Sequence, residues 1–234
     1  MQIVKSYARI HSIDGKDSSK ESGIEALRRV EWCGRISHRS EDKQTENSYE
    51  RFIKAIVLGH GDWSITEHAT VTVDALVDRG ITHEWVRHRI GAYTQESTRF
   101  VNYGKKGQIS VVCPLREWAT KAISDVIIGD SSNDEVWSAT LEHCELTYLY
   151  LLNQGVSPQI ARSVLPNALA SRLIVTYNLR MWRHFFIMRT AREAHPQMRD
   201  VTIPLLEEFK IKIPLLYDDI AAEERQIDAM RRPR

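Results

Sequence analysis

Apolar and polar positions fall in short, well-punctuated blocks along the chain. Residues 2–10 alternate loosely, the period-two pattern of a strand. Ser22 precedes a helical repeat through Ile24, Leu27, Val30 and Trp32, and residues 40–47 are polar and loop-like. Phe52, Ile53, Ile56 and Val57 return at helical spacing and stop at Gly59, a glycine end. Residues 68–77 alternate around Thr70, Val71, Thr72 and Val73, whose branched side chains suit a strand. Residues 82–90 predict a short helix with Thr82 as its cap and Gly91 as its exit. Turns follow at Gly104-Lys105-Lys106-Gly107 and at 129–133. The longest helix is predicted over 134–153, with Val136, Trp137, Leu141, Cys144, Tyr148, Leu151 and Leu152 on its buried side. Ser157-Pro158 starts another, because proline at the first helical position gives up a hydrogen bond that would go unmade anyway, and Leu165-Pro166 ends it. Residues 172–177 predict a strand, Leu179–Arg189 a helix, and Pro196 opens a last one.

No repeat, low-complexity run or linker interrupts this pattern. It predicts one α+β domain over 1–234, a small antiparallel-type sheet packed by several helices. No Gly-x-Gly-x-x-Gly follows a predicted strand, so no Rossmann motif is expected. Apolar residues make up 42% of the 234 and charged residues 27%, the balance of a soluble protein with a real core. The net charge of +1 gives no global field toward nucleic acid or an anionic membrane, and neither is expected as a partner. No apolar run approaches the ~20 residues that span a bilayer. Met1-Gln2-Ile3-Val4-Lys5 lacks the apolar core of a signal peptide, so the expected location is cytoplasmic. Cys33, Cys113 and Cys144 are scattered without paired spacing, which points to neither a disulfide framework nor a metal site. The tail Arg231-Arg232-Pro233-Arg234 reads as a frayed end.

Charge is concentrated locally instead. Arg87-His88-Arg89-Ile90-Gly91-Ala92-Tyr93-Thr94-Gln95-Glu96-Ser97-Thr98-Arg99 gathers three arginines, a histidine and a serine. Guanidinium forks pair with phosphates and carboxylates and stay charged at any working pH. The segment is therefore either a solvated helix end with ordinary salt bridges or a site for a small anion. On the predicted helix, Glu84 lies three residues from Arg87 and four from His88, so it could orient both or pair with them at the surface. Ser97 and Arg99 are two apart and share a face if that segment is extended. A hydroxyl beside a guanidinium grips phosphate well, whereas a serine nucleophile needs an adjacent base, and none is evident. Arg189, taken alone, reads as an arginine satisfying carbonyls at a helix C-terminus.

Arg87-His88-Arg89, then seven residues, then Ser97 resembles the signature of the flavin-dependent thymidylate synthases, the ThyX-type enzymes. Upstream, Gly61-Asp62-Trp63-Ser64-Ile65-Thr66-Glu67-His68 is similar to their Gly-x-x-Ser/Thr-x-x-Glu-His segment. Downstream, Gly155-Val156 through Ala161-Arg162-Ser163-Val164-Leu165-Pro166 is similar to their Gly-Val-x-x-x-x-Ala-Arg-x-x-Leu-Pro helix. The resemblance runs from about residue 46 to 199, with three motifs in order.

It implies a ThyX-like fold and reductive methylation of dUMP to dTMP. The carbon would come from 5,10-methylenetetrahydrofolate, and the hydride from FAD reduced by NADPH. It further implies a homotetramer whose sites are shared between subunits. By the resemblance, Ser64, Arg87, His88, Arg89, Gln95, Asn178, Arg180 and His184 contact the flavin. Glu84, Arg87, Gln95, Glu96, Ser97, Thr98, Arg99, Arg162 and Arg189 contact the substrate, with Ser97 on its phosphate and Arg162 reaching it from a neighbouring subunit. Arg189 is the catalytic group, a fixed cation that polarises the uracil ring. A thiolate route would need a cysteine in an electropositive pocket; Cys33 and Cys144 sit in helical patterns and Cys113 has no basic neighbour in sequence.

The chain departs from the family at several positions. Glu84 replaces the glutamine of some relatives, Thr94-Gln95-Glu96 an asparagine–glutamate–apolar order, and Ala92 a serine. His184 stands where relatives often place asparagine, and Gln159 where some carry glutamate. These departures support an alternative, a catalytically impaired flavin- and nucleotide-binding relative. Glu67-His68 reads as a structural pair at a strand entrance.

Overall fold

The computed structural model describes residues 1–113 and 133–221. Its fold class is α+β, as the sequence pattern predicts, with no Rossmann unit among the described residues. The strands are β1 (Gln2–Val4), β2 (Tyr7–Ile13), β3 (Thr70–Asp78), β4 (Ala92–Gln95), β5 (Ser110–Val112) and β6 (Ala170–Asn178). The helices are α1 (Lys20–Ile36), α2 (Ser48–Phe52), α3 (Arg79–Trp85), α4 (Asn133–Asn153), α5 (Pro158–Ala161), α6 (Leu179–Arg189) and α7 (Pro196–Lys212). Four strands form one sheet in the order β2-β3-β6-β4, and β1 pairs with β5 in another. Backbone bonds join Leu179 N to the Ala69 carbonyl and Arg79 N to the Leu169 carbonyl, so β3 and β6 run antiparallel.

Residue contacts group the described parts of 1–7, 75–87 and 94–173 into one unit, and those of 8–74, 88–93 and 174–221 into a second. In the first unit β1 pairs with β5 in parallel, with Gln2 opposite Ser110 and Val4 opposite Val112. A parallel pair needs a long crossover, and more than a hundred residues supply it, so this sheet departs from the expected antiparallel type. Its core gathers Tyr103, Ile109, Val111, Leu141, Tyr148, Ala161 and Leu169. On α4 only part of the predicted apolar side is fully buried, Leu141 and Tyr148, and Glu145 is buried with them. Its carboxylate accepts from Ile109 N at 2.7 Å, which satisfies a charge that hydrophobic periodicity could not flag.

The second unit is built on aromatic packing. Trp182 lies 4.6 Å from Tyr177, 5.4 Å from Phe185 and 5.1 Å from Phe209 between ring centroids, and Phe209 continues to Tyr217 at 5.3 Å. Such pairs add about 0.5–1.5 kcal/mol each beyond area burial. Tyr217 and Trp182 satisfy their polar ends on the Leu179 and Val71 carbonyls, at 3.1 and 2.9 Å. The same core clamps α6, which carries several of the candidate site residues.

Two strand-to-helix corners share one design. β3 and β6 are nine residues each, and each ends in a residue whose side chain caps the next helix. Asp78 accepts from Ile81 N at 2.7 Å and Asn178 from Met181 N at 2.8 Å. Asp78 therefore caps α3 four residues before the predicted Thr82 cap, because a carboxylate caps as well as a hydroxyl. The helix ends at Trp85, so His88 lies beyond it and the Glu84–His88 spacing argument does not hold.

Other differences are smaller. The first predicted strand is interrupted between Val4 and Tyr7 and runs on to Ile13. α1 is capped by Ser19, which accepts from Ser22 N at 3.1 Å, and Trp32 is half exposed rather than core. The segment after α2 reaches Gly59 as predicted, but Ile53–Gly59 winds as a π-helix, a form common near functional sites. The predicted turn at 129–133 and the basic tail lie outside the described residues, save that Asn133 opens α4.

Candidate functional site

In the second unit, residues 88–93 place His88 against α6. The imidazole is 8% exposed, its edge meets Phe185 at 5.0 Å and His184 at 5.8 Å between centroids. Arg189, the last residue of α6, donates from Nε to His88 Nε2 at 2.9 Å. Burial first, then the Arg189 cation and His184, depress the His88 pKa to about 4. The ring is thus neutral at neutral pH, which an acceptor must be. Tyr93 donates its hydroxyl to the His88 carbonyl and meets the Tyr177 hydroxyl. Gly91 lies so close to Tyr177 that a Cβ there would sit 2.1 Å from the ring. The glycine predicted as a helix exit is needed for close approach instead.

The remaining flavin candidates of this unit surround α6 and the segment before β3. Asn178 spends its carbonyl oxygen on the helix cap, which leaves its NH2 end to donate. Arg180 is exposed and pairs with Glu67 at 2.7 Å, both about half exposed. A pair of that kind is worth little and yields readily to a phosphate. Glu67 therefore partners Arg180 rather than His68, against the predicted structural pair. Ser64, Arg89 and His184 are exposed. An open cleft of about 620 Å³ is lined by Arg28, Arg29, Trp32, Cys33, Gln44 and His68. The sequence pattern assigned Trp32 to a helix core; only its exposure marks it as a wall of this cleft.

The first unit holds the other group. Ser97 begins a turn, with Phe100 N and Val101 N both on its carbonyl, so Ser97 and Arg99 are not in an extended segment. The turn still brings them together, because Ser97 Oγ accepts from Arg99 N at 3.2 Å and keeps its proton to donate. Thr98 is buried, and its hydroxyl accepts from Arg162 Nη1 at 3.1 Å, which joins the turn to the end of α5. Gln95 gives both amide hydrogens to hydroxyls, Thr82 at 2.9 Å and Ser171 at 3.1 Å. Glu96 accepts from Tyr103 at 3.1 Å, and burial with that carboxylate raises the phenol's pKa well above its usual value. Gln95 and Glu96 thus spend hydrogen bonds inside the unit. Arg87 is exposed, its amide on the Glu84 carbonyl, and the Glu84 side chain is half buried on α3.

A family profile described as thymidylate synthase complementing protein matches residues 22–215. A flavin-dependent thymidylate synthase of Corynebacterium efficiens is 34% identical over 215 residues, covering 86% of this chain and 81% of its own length. That of Pyrococcus furiosus is 34% identical over 181 residues, covering 77% and 70%. That of Mycobacteroides abscessus is 33% identical over 200 residues, covering 81% and 78%.

Proposed function

The chain belongs to the flavin-dependent thymidylate synthase family, and on that premise we propose that it methylates dUMP with 5,10-methylenetetrahydrofolate as carbon donor and NADPH as reductant. The flavin-dependent conversion of dUMP to dTMP is its reaction. The electron count sets the rest. A bridging methylene becomes a methyl group only by gaining a hydride, and the hydride must come either from the folate ring or from elsewhere. When bound, FAD supplies that hydride with electrons drawn from NADPH. The folate then leaves as tetrahydrofolate.

The donor set suits such a cofactor. Arg89 and Arg180 offer exposed guanidinium groups for a pyrophosphate, and Ser64, His184 and the Asn178 NH2 offer neutral hydrogen bonds. In the first unit Arg87, Arg99, Arg162 and the Ser97 hydroxyl suit the phosphate of dUMP, with Thr98 holding Arg162. Glu84 stays a neighbour of this group, Gln95 and Glu96 shape it, and Arg189 polarises the uracil. The observation that carries this reading is the Arg189–His88 bond, because it directs the guanidinium through a neutral partner. The reading extends to a homotetramer with shared sites, supported by the family resemblance.

The second reading, an impaired relative, rests on the departures at Glu84, Gln95, Glu96 and Gln159. One experiment separates them. The purified protein with FAD is expected to show flavin absorbance and to oxidise NADPH only when dUMP and methylenetetrahydrofolate are both present. Bound flavin without that dependence would favour the impaired relative, and a protein that stays flavin-free would remove both.

A further inference from the structure

We infer that His88 is the positioning residue for Arg189: its Nε2 accepts from Arg189 Nε and so fixes the plane and direction of the guanidinium fork. The inference rests on the role proposed above for Arg189. Nε is the only guanidinium nitrogen within the side-chain stem. A hydrogen bond there restrains rotation of the fork.

The acceptor is itself held from several sides. Its ring is 8% exposed and packs edge-on against Phe185 at 5.0 Å. Its main-chain carbonyl accepts from Tyr93, whose hydroxyl meets that of Tyr177, and Tyr177 packs on Gly91 of the same segment. The segment cannot slide without breaking this tyrosine pair. An imidazolium has no lone pair to offer, and burial keeps the ring neutral, so the bond persists at neutral pH. With Nε2 accepting, the proton must reside on Nδ1. A neutral acceptor aims the guanidinium without itself bringing an opposing charge.

The test has two parts. In the wild-type protein, ¹⁵N NMR of labelled histidine, assigned with H88Q, is expected to show Nε2 unprotonated and Nδ1 protonated at pH 7; a protonated Nε2 overturns the inference whether or not any variant folds. His88→Phe keeps the ring's bulk and removes the acceptor, while His88→Gln returns a carbonyl oxygen near the position of Nε2. H88F is expected to lose kcat per bound flavin on the order of 100-fold, the cost of a misdirected group, with KM for dUMP unchanged, and H88Q to recover most of it. Wild-type kcat in H88F, or H88Q no faster than H88F, contradicts the positioning role. Loss of FAD with normal turnover per bound flavin makes His88 a cofactor contact instead. Wild-type turnover by Arg189→Ala is a separate result that removes the reading of Arg189 itself.

Discussion

Arg189 Nε lies 2.9 Å from His88 Nε2, across a sequence separation of 101 residues, and the bond pairs a permanent cation with a neutral ring. The first prediction concerns the cation. Arg189→Ala should bind FAD as the wild type does and lower kcat by about 100- to 1000-fold, the scale of losing one preorganised electrostatic group. Arg189→Lys should not rescue it, because an ammonium has no Nε to lock and no fork to aim. Steady-state kinetics at saturating dUMP checks both, and near-normal turnover in either variant would contradict the assignment.

Acid sensitivity follows from the partner. An unfolded histidine titrates near 6.5, whereas folded His88 is held down to about 4 by burial, Arg189 and His184. Between these values the unfolded chain holds a proton that the folded one lacks, so this group's stability contribution is complete above about pH 6.5 and fades as pH falls toward 4. Replacing His88 with Gln removes that proton. The drop in Tm from pH 7 to pH 5 should be smaller in H88Q than in wild type, by the equivalent of up to one proton taken up on unfolding. Equal drops would show that His88 titrates normally in the folded protein.

Asn178 combines a cap with a donor, and the two can be separated. Asn178→Ala should cost about 1 kcal/mol through the lost bond to Met181 N. Asn178→Ser keeps a capping oxygen and loses the NH2 group, so its Tm should approach wild type while FAD binds more weakly in a titration. Unchanged FAD affinity in the serine variant would confine Asn178 to the cap.

Neighbouring residues of the signature should split in the same way. Gln95→Leu leaves the Thr82 and Ser171 hydroxyls without their donor and should destabilise the protein by about 1–3 kcal/mol, with KM for dUMP unchanged. Ser97→Ala should do the reverse, raising KM for dUMP with kcat retained at saturation. Complete loss of turnover in S97A at saturating dUMP would revive a nucleophilic serine.

Much of this was legible in the sequence. α6 was predicted to its residue bounds, because an apolar stripe follows a capping amide and closes in a basic last turn. β3 was legible from the branched residues at 70–73, and β6 over residues 172–177, where Ile174, Val175 and Thr176 mark the strand. α3 was displaced because a hydroxyl four residues on looked like the cap, and only the side-chain geometry shows that Asp78 takes that role. The Tyr93–Tyr177 pair and the Arg189–His88 bond join residues 84 and 101 positions apart, and no local pattern reports such contacts. Gln95 was legible as part of a motif but not as a residue bonded inward, since its partners come from α3 and β6.

The folate product tests the central claim most directly. A flavin-dependent route takes its hydride from NADPH through the cofactor, so each dTMP formed should be matched by one tetrahydrofolate and one oxidised NADPH. Chromatography of a complete reaction with FAD, dUMP, methylenetetrahydrofolate and NADPH should show that equivalence, and no dTMP when FAD is withheld from the flavin-stripped protein. Dihydrofolate formed in step with dTMP, without NADPH oxidation, would mean that the folate ring gave the hydride and would contradict the account.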